Sequence, residues 1–495
     1  MQKVFDNPSQ LEAFAKQKYG FPDFIMMENA ALSLKNLITE LYQNQKKSKN
    51  STCIILCGKG NNGGDGYALA RLLYGELEPL VFCLEEPQAH EAKTQYEMCK
   101  KLGVKFLSKS DLTKRLKDSQ NNPAFIVDCL YGTGFKGELT GDAEKIVTLA
   151  NESNSIRIAC DIPTALAFNA HYTVTMGEHK LQLFSDKAKQ VCGKIIVAPL
   201  GMDPALFEGT IPSPATYLIT DKDCKLPVRK NKAAHKGTYG HTAVFAGEKS
   251  GAAIICATAA MNFGSGLTTI IKQKSCNLSQ FKISPELMIS QTIPEKTTCI
   301  VLGPGSDTLQ EETLLAIKDW WFNKKTKSPC AVFDAGMFAN PTFIELLEKL
   351  NTRKDCRIVL TPHLAELARF CALPQNKKLG LSNITVEQIA NSPQIKIDAG
   401  KAISKKFPAT TIVIKSANTF ITTCEHTYIV TDGAQSLAKG GSGDVLAGMI
   451  AALLAQGYTS TDATITACQT HASISKSIGE QAWDLSPMRL IKMMS

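Results

Sequence analysis

Short apolar and β-branched runs punctuate the chain, and most stop abruptly at Gly, Asp or Pro. In the first half these are Cys53-Ile-Ile-Leu-Cys57 into Gly58, Ala124-Phe-Ile-Val127 into Asp128, Ile156-Arg-Ile-Ala-Cys160 into Asp161, and Lys194-Ile-Ile-Val197 into Ala198-Pro199. Helix-like stretches lie between most of them, for example over residues 67–74 and 89–102. Strands that alternate with helices predict a parallel sheet covered on both faces. The rhythm restarts after residue 236 with Thr242-Ala-Val-Phe-Ala246, Cys299-Ile-Val-Leu302, Cys330-Ala-Val-Phe333, Arg357-Ile-Val-Leu360 and Thr411-Ile-Val-Ile414. Their C-terminal neighbours are Gly247, Gly303-Pro304-Gly305, Asp334, Thr361-Pro362-His363 and Lys415. Ligands of open α/β sheets bind beyond the carboxyl ends of the strands, so these positions are where a site is expected.

The pattern thus predicts two doubly wound α/β domains. Between them, residues 206–232 carry Pro212, Pro214, Pro227 and the cluster Arg229-Lys230-Asn231-Lys232 with little periodicity, which sets the boundary near 212–230. The expected domains are residues 1–212 and 225–495.

At 495 residues each half is long enough for a full core. A net charge of +9, from 55 basic and 46 acidic residues, is spread too thinly to suggest a nucleic-acid partner. The first ten residues lack the apolar run of a secretory signal, and no apolar run reaches the ~18 residues of a membrane span. A cytoplasmic protein without a membrane partner is expected. Sixteen Cys are present, many inside apolar runs and none in a CxxC pair, which reads as buried, reduced thiols.

Chemistry gathers at the strand ends. Gly58-Lys59-Gly60-Asn61-Asn62-Gly63-Gly64-Asp65-Gly66 follows a strand and opens a helix, so backbone N–H groups and the helix dipole can converge on a phosphate or pyrophosphate. It is neither a Walker loop nor a GxGxxG. Asp128 precedes a second loop, Gly132-Thr133-Gly134, and Asp161 precedes Pro163 and Thr164. Oxygen-rich strand ends together could hold a hard monovalent cation or position an acid/base carboxylate, whereas a lone strand-end Asp often only caps a helix. In the second half, Ala438-Lys439-Gly440-Gly441-Ser442-Gly443-Asp444 leads into an apolar helix over residues 445–455. That is an anion hole with an Asp at its mouth, placed to deprotonate an attacking hydroxyl during phosphoryl transfer.

Taken in order, Met27-Glu28-Asn29-Ala30, the Asn61-Asn62-Gly63-Gly64-Asp65 loop, Asp128 with Gly132-Thr133-Gly134, Asp161-Ile-Pro163 and Thr173-Val-Thr-Met-Gly177 with Lys180 resemble the NAD(P)H-hydrate epimerase family. The resemblance implies a Rossmann-like α/β/α sandwich over about residues 1–210. It implies that Asn61, Asn62, Gly63, Gly64, Asp65, Gly132, Thr133, Gly134, Phe135, Lys136, Gly137, Glu138 and Asp161 bind the hydrated dinucleotide, NAD(P)HX. Potassium would lie on Asn62, Asp128 and Thr164. Asp161 is the first candidate for the carboxylate that moves the proton and Asp65 the second. Family members usually continue Asp-Ile-Pro-Ser-Gly, whereas this chain has Thr164-Ala165, and Ala takes positive φ less readily than Gly. A homo-oligomer is also implied, with the helix around residues 26–37 as an interface.

The second half resembles the ribokinase-like superfamily and, more narrowly, the ADP-dependent NAD(P)H-hydrate dehydratase family. The residues are His235-Lys236-Gly237, Gly240, Gly247, Gly251-Ala252, Ser284-Pro285-Glu286, Gly303-Pro304-Gly305, Asp334-Ala335, Thr361-Pro362-His363 with Glu366, Lys415 with Thr419, and Gly441-Ser442-Gly443-Asp444. By resemblance Asp444 is the base and touches substrate, and Gly305, His363, Leu364, Ala365, Glu366, Leu367, Ala368 and Arg369 line the hydrate site. ADP would be held by Lys415, Ser416, Ala417, Asn418 and Thr419, and by Ala434, Gln435, Ser436, Leu437, Ala438, Lys439, Gly440, Gly441, Ser442 and Gly443. Magnesium would arrive with ADP, bound largely through its phosphates and water. Leu364-Ala365 replaces the usual Pro-Gly, Ser306-Asp307 replaces Leu-Gly, and Ser416 replaces Gly, each filling a loop near ligand.

The implied activity is repair of hydrated nicotinamide dinucleotides: epimerisation of R- and S-NAD(P)HX, then ADP-dependent dehydration to NAD(P)H, AMP and phosphate. Two alternatives stay open on the residues. One is a small-molecule kinase for a vitamin-like alcohol such as a pyridoxal or thiazole precursor. The other makes the first half a catalytically silent binding or scaffold module.

Overall fold

The computed structural model describes residues 1–44, 51–118, 122–306, 308–479 and 481–494. The chain divides into two compact units, residues 3–214 and residues 215–495 with Met1 and Gln2.

In the first unit the strands are β1 (Gln2–Phe5), β2 (Thr52–Cys57), β3 (Glu78–Cys83), β4 (Lys105–Phe106), β5 (Phe125–Cys129), β6 (Ile156–Cys160), β7 (Tyr172–Met176), β8 (His179–Lys180) and β9 (Lys194–Ala198). A parallel sheet runs in the order β4-β3-β2-β5-β6-β7-β9. Ile54, Ile55 and Leu56 on β2 are fully buried, as are Ile126 and Val127 on β5. Burial on both faces is why these strands read as continuous apolar runs rather than alternating ones. Going from β2 to β5 the strand order reverses, and such a reversal opens a crevice at the carboxyl end of the sheet. The helix Asn61–Leu73 leaves β2 into that crevice, and Asp128 and the loop after it come from β5. Asp128, expected just past its strand, lies inside β5 opposite Leu56. Beside the sheet, β1 pairs in parallel with β8, setting Phe5 against Lys180.

In the second unit the strands are β10 (Thr216–Leu218), β11 (His241–Ala246), β12 (Leu267–Lys272), β13 (Met288–Ser290), β14 (Cys299–Leu302), β15 (Cys330–Phe333), β16 (Arg357–Leu360), β17 (Thr410–Ile414), β18 (Thr419–Thr422) and β19 (Thr427–Val430). Their order is β13-β12-β11-β14-β15-β16-β17-β18-β19-β10, parallel except that β18 runs against both neighbours. The reversal between β11 and β14 puts Gly247 and the Gly303-Pro304-Gly305 turn in its crevice. The helix Ser442–Ala455 packs its apolar length into the core, with residues 445–455 all buried. Both helices begin earlier than their apolar patterns suggest, at Asn61 and Ser442, because Gly, Asn and Ser of the first turn carry no apolar signal.

Sixteen cysteines are free and most are buried. Among the described residues no helix is long and apolar enough to cross a membrane.

Candidate functional sites

At the carboxyl end of the first sheet lies a cavity of about 940 Å³, lined by Asn61, Asn62, Asp65, Gly132, Thr133, Gly134, Phe135 and Asp161 together with Glu12, Lys180 and others. The glycine-rich loop is the first turn of Asn61–Leu73; its N-cap, Gly60, offers no side-chain cap, so the leading N–H groups face the crevice. Gly63 is obligatory for packing, since a Cβ there would come within 1.9 Å of the Gly58 carbonyl oxygen. Gly64 is also buried behind the wall, whereas Lys136, Gly137 and Glu138 are exposed and outside it. Phe135 stacks on Tyr131 with centroids 4.7 Å apart.

Asp161 sits at φ 69°, in the left-handed region. Its carboxylate forms an ion pair with Lys180 and accepts from the Thr133 and Met176 N–H groups, each at 3.4 Å. Lys180 is 3% exposed, and its ammonium also donates to Thr175 Oγ1 at 3.3 Å and the Met176 carbonyl at 3.2 Å. Asp65 has a different environment. Burial, reinforced by the nearby Asp161 and Glu12 carboxylates, pushes it well above the usual carboxylate range. The thiol of Cys160 lies 3.7 Å from its Oδ2. One cavity therefore holds a carboxyl that favours its proton and a carboxylate tied to an ammonium. Glu12 had no part in the sequence reading, and Lys180 entered it only among the residues that carry the resemblance, with no site role; in the fold Lys180 lies on β8, opposite Phe5 of β1, and reaches Asp161.

Asp128 and Thr164 are fully buried. Thr164 donates to Asp128 from Oγ1 at 2.7 Å and from its N–H at 2.8 Å. Burial pushes Asp128 up to about 6 despite these bonds. Neither side-chain polar atom of the buried Asn62 amide has a hydrogen-bond partner. An orphaned amide oxygen is the kind of hard donor a monovalent cation takes. Ala165, where the family has Gly, nevertheless takes φ 53°, and Leu166 follows at 50°. The loop is thus held against the preference of its side chains by the bonds that Thr164 makes.

In the second unit, Ser442–Ala455 opens on Gly441 at φ 90° with no side-chain cap. Asp444 in its first turn is pushed up to about 7, chiefly by burial and then by the Asp334 carboxylate, against the pull of Lys415. Asp334, 2% exposed at the end of β15, accepts from Lys415 Nζ at 2.7 Å and Thr361 Oγ1 at 2.8 Å. Burial opposes the charge of Lys415, yet Asp334, Glu366 and Asp444 together hold its ammonium above the ordinary range. His363 caps the helix Leu364–Ala372: its Nδ1 accepts from the N–H groups of Ala365 at 3.1 Å and Glu366 at 3.3 Å. Glu366 returns the bond, accepting from the His363 N–H at 2.8 Å. Leu367 points into the core at 0% exposure, so Leu364, Ala365, Ala368 and Arg369 are the accessible part of that stretch.

Gly305, at φ 68°, leaves 2.1 Å between an added Cβ and the Lys249 carbonyl. Ser306 fills its loop and donates to Gln273 Oε1 at 3.3 Å; Asp307 lies outside the described residues. Ser416 donates to the Asn418 carbonyl at 2.6 Å and accepts from Lys396 at 2.8 Å, so the extra hydroxyl is tied down rather than loose in the loop. His471, which the sequence reading missed, touches Ser442 through Nε2; burial pushes it down to about 4, so it is neutral beneath the helix mouth. Among the described residues, no three His, Cys, Asp or Glu side chains are grouped to hold a metal ion.

Two α/β units, each with an uncapped helix mouth at its crevice and buried carboxyl groups beside it, define a double-site enzyme of nucleotide chemistry. The chain belongs to the family of bifunctional NAD(P)H-hydrate repair enzymes. Residues 242–495 match the family described as NAD(P)H-hydrate dehydratase, and residues 23–182 that described as YjeF-related protein N-terminus. A bifunctional NAD(P)H-hydrate repair enzyme of Helicobacter pylori is 34% identical over 99% of both chains. One from Moorella thermoacetica is 28% identical, covering 90% of this chain and 87% of its own. A solved ADP/ATP-dependent NAD(P)H-hydrate dehydratase of Bacillus subtilis, co-crystallised with ATP/Mg2+, is 23% identical with a TM-score of 0.43, covering 54% of this chain and 91% of its own.

Proposed function

We propose that the first unit interconverts R- and S-NAD(P)HX and that the second uses ADP to return the S form to NAD(P)H. The observation that carries the reading is Asp444: a carboxyl whose pKa burial raises to about 7, at an uncapped helix mouth and backed by the Asp334–Lys415 pair. Asp444 takes the proton of the hydrate hydroxyl as its oxygen attacks the terminal phosphorus of ADP and AMP departs. The free N–H groups at Gly443 and Asp444 stabilise the charge that develops on the transferring group. Hydroxide leaves badly and phosphate well, so the ring nitrogen then expels phosphate, and loss of the neighbouring C–H proton completes NAD(P)H. Magnesium bound to the ADP phosphates would neutralise their charge. Asp334, Glu366 and Asp444 offer hard oxygens that suit its water shell.

In the first unit the hydroxyl-bearing carbon is bonded to the ring nitrogen. Asp65 would protonate the departing hydroxyl while that nitrogen forms a double bond to the carbon, and Asp161 would deprotonate the water that adds to the other face. Lys180 holds Asp161 in place. Potassium on Asn62, Asp128 and Thr164 would add positive charge near the substrate phosphates. We also place the enzyme in the cytoplasm, where its free thiols would stay reduced.

The test is absorbance at 340 nm on mixed R- and S-NADHX with ADP, Mg2+ and K+. Full recovery of NADH, abolished by Asp444→Asn, is expected. A stable phosphorylated product without NADH would overturn the reading in favour of a kinase.

A further inference from the structure

Trp483 is 88% exposed, more than any other large apolar side chain among the described residues. The backbone that carries it is firmly built. The Ala482 N–H donates to the Gly479 carbonyl at 3.2 Å and the Leu485 N–H to the Ala482 carbonyl at 3.3 Å. Leu485 is buried, Asp484 pairs with Arg489, and Ser486 caps the helix Pro487–Lys492. An indole left in water on an anchored turn forgoes the burial that usually stabilises the largest aromatic side chain.

The position of that turn gives the exposure a meaning. Lys439 Nζ donates to the Trp483 carbonyl at 3.2 Å. Two residues on, Gly441 lies against Pro487, whose Cγ would be 2.6 Å from an added Cβ. The turn is therefore fastened at two points to the Lys439–Gly443 approach to the anion hole. A nucleotide with its phosphates on the N-terminus of Ser442–Ala455 would have this rim beside it.

We propose that Trp483 is the stacking platform for the base of the nucleoside diphosphate used by the second unit. The proposal rests on the reading of residues 440–444 as the phosphate site, and adds a side chain outside residues 415–419 and 434–443. Stacking on an indole needs only a π-face, and a purine offers a larger one than a pyrimidine. ADP and GDP are therefore preferred over CDP and UDP, and Trp483 sets that preference.

Of the three tryptophans, Trp320 and Trp321 are 7% and 0% exposed, so Trp483 is the indole a neutral quencher reaches. The full chain is titrated with ADP, and separately with inorganic pyrophosphate, while acrylamide quenching is followed. ADP should protect the fluorescence and pyrophosphate should not. Affinities are then measured calorimetrically. Trp483→Ala should weaken ADP about tenfold, leave pyrophosphate unchanged and erase the preference for ADP over CDP; Trp483→Phe should restore most of the affinity. Unchanged ADP affinity in Trp483→Ala, with pyrophosphate bound by both proteins, would overturn the stacking role alone. Absence of pyrophosphate and ADP binding in the unaltered chain would overturn the phosphate-site reading and this proposal with it.

Discussion

Lys415 Nζ lies 2.7 Å from Asp334 Oδ1 and would be 3.3 Å from a Cβ placed on Gly443. The ammonium thus stands directly under the helix mouth, held there by a carboxylate on the next-but-one strand. Gly443→Ala should push Lys415 from this position and cover an N–H of the anion hole. The KM for ADP is expected to rise about tenfold, the scale of one disturbed charge-assisted hydrogen bond, with the melting temperature little changed. Steady-state kinetics beside a thermal melt would check it; an unchanged KM would remove Lys415 and Gly443 from the phosphate site.

Asp444 should make dehydration pH-dependent. Its pKa is raised to about 7, so it is protonated and unable to accept a proton below that pH, and kcat/KM should climb through pH 6–8 to a plateau. Removing the opposing charge with Lys415→Met should move the midpoint upward. Stability has the opposite sign. A carboxyl with a folded pKa above its ordinary 3.8 costs stability increasingly as pH rises from about 4 to 7, and by a constant amount beyond. Asp444→Asn should therefore be inactive yet melt higher than the unaltered enzyme at pH 8, with the difference vanishing below pH 4.

The two carboxyl groups of the first unit should be separable from the second unit's chemistry. With Asp161→Asn or Asp65→Asn, NADH recovery from mixed epimers should stop once the S form is consumed, then creep at the rate of spontaneous epimerisation. Pure S-NADHX should be repaired at the normal rate. Lys180→Met should act in the same direction as Asp161→Asn, because the ion pair holds the Asp161 carboxylate in the cavity. Normal repair of mixed epimers by Asp65→Asn would exclude it as the acid.

Ala165 stands at φ 53°, where a Cβ costs about 1–2 kcal/mol, while Gly loses about 0.5–1 kcal/mol more chain entropy on folding. Ala165→Gly should therefore stabilise the protein by about 0.5–1 kcal/mol, readable as a higher midpoint in urea. An ordinary loss, as for Ala→Gly inside a helix, would show that the loop relaxes in solution.

The apolar runs of this chain contain enough to define two parallel α/β units, because a strand buried on both faces must be apolar along its whole length, and that is a local property. The strand ends at Asp161, Asp334 and Lys415 were visible for the same reason: each interrupts an apolar run. Helix starts were not, since Asn61 and Ser442 begin their helices with residues that carry backbone geometry rather than hydrophobicity. Nor could the chain alone assign partners. Lys180 meets Asp161, Lys415 meets Asp334, and Cys160 meets Asp65 across 19, 81 and 95 residues. Which carboxyl stays neutral and which is paired depends on those meetings and on burial, both set by packing over distances that no local pattern encodes. Packing likewise places Trp483, an unremarked residue near the C-terminus, beside Lys439 at the approach to the helix Ser442–Ala455.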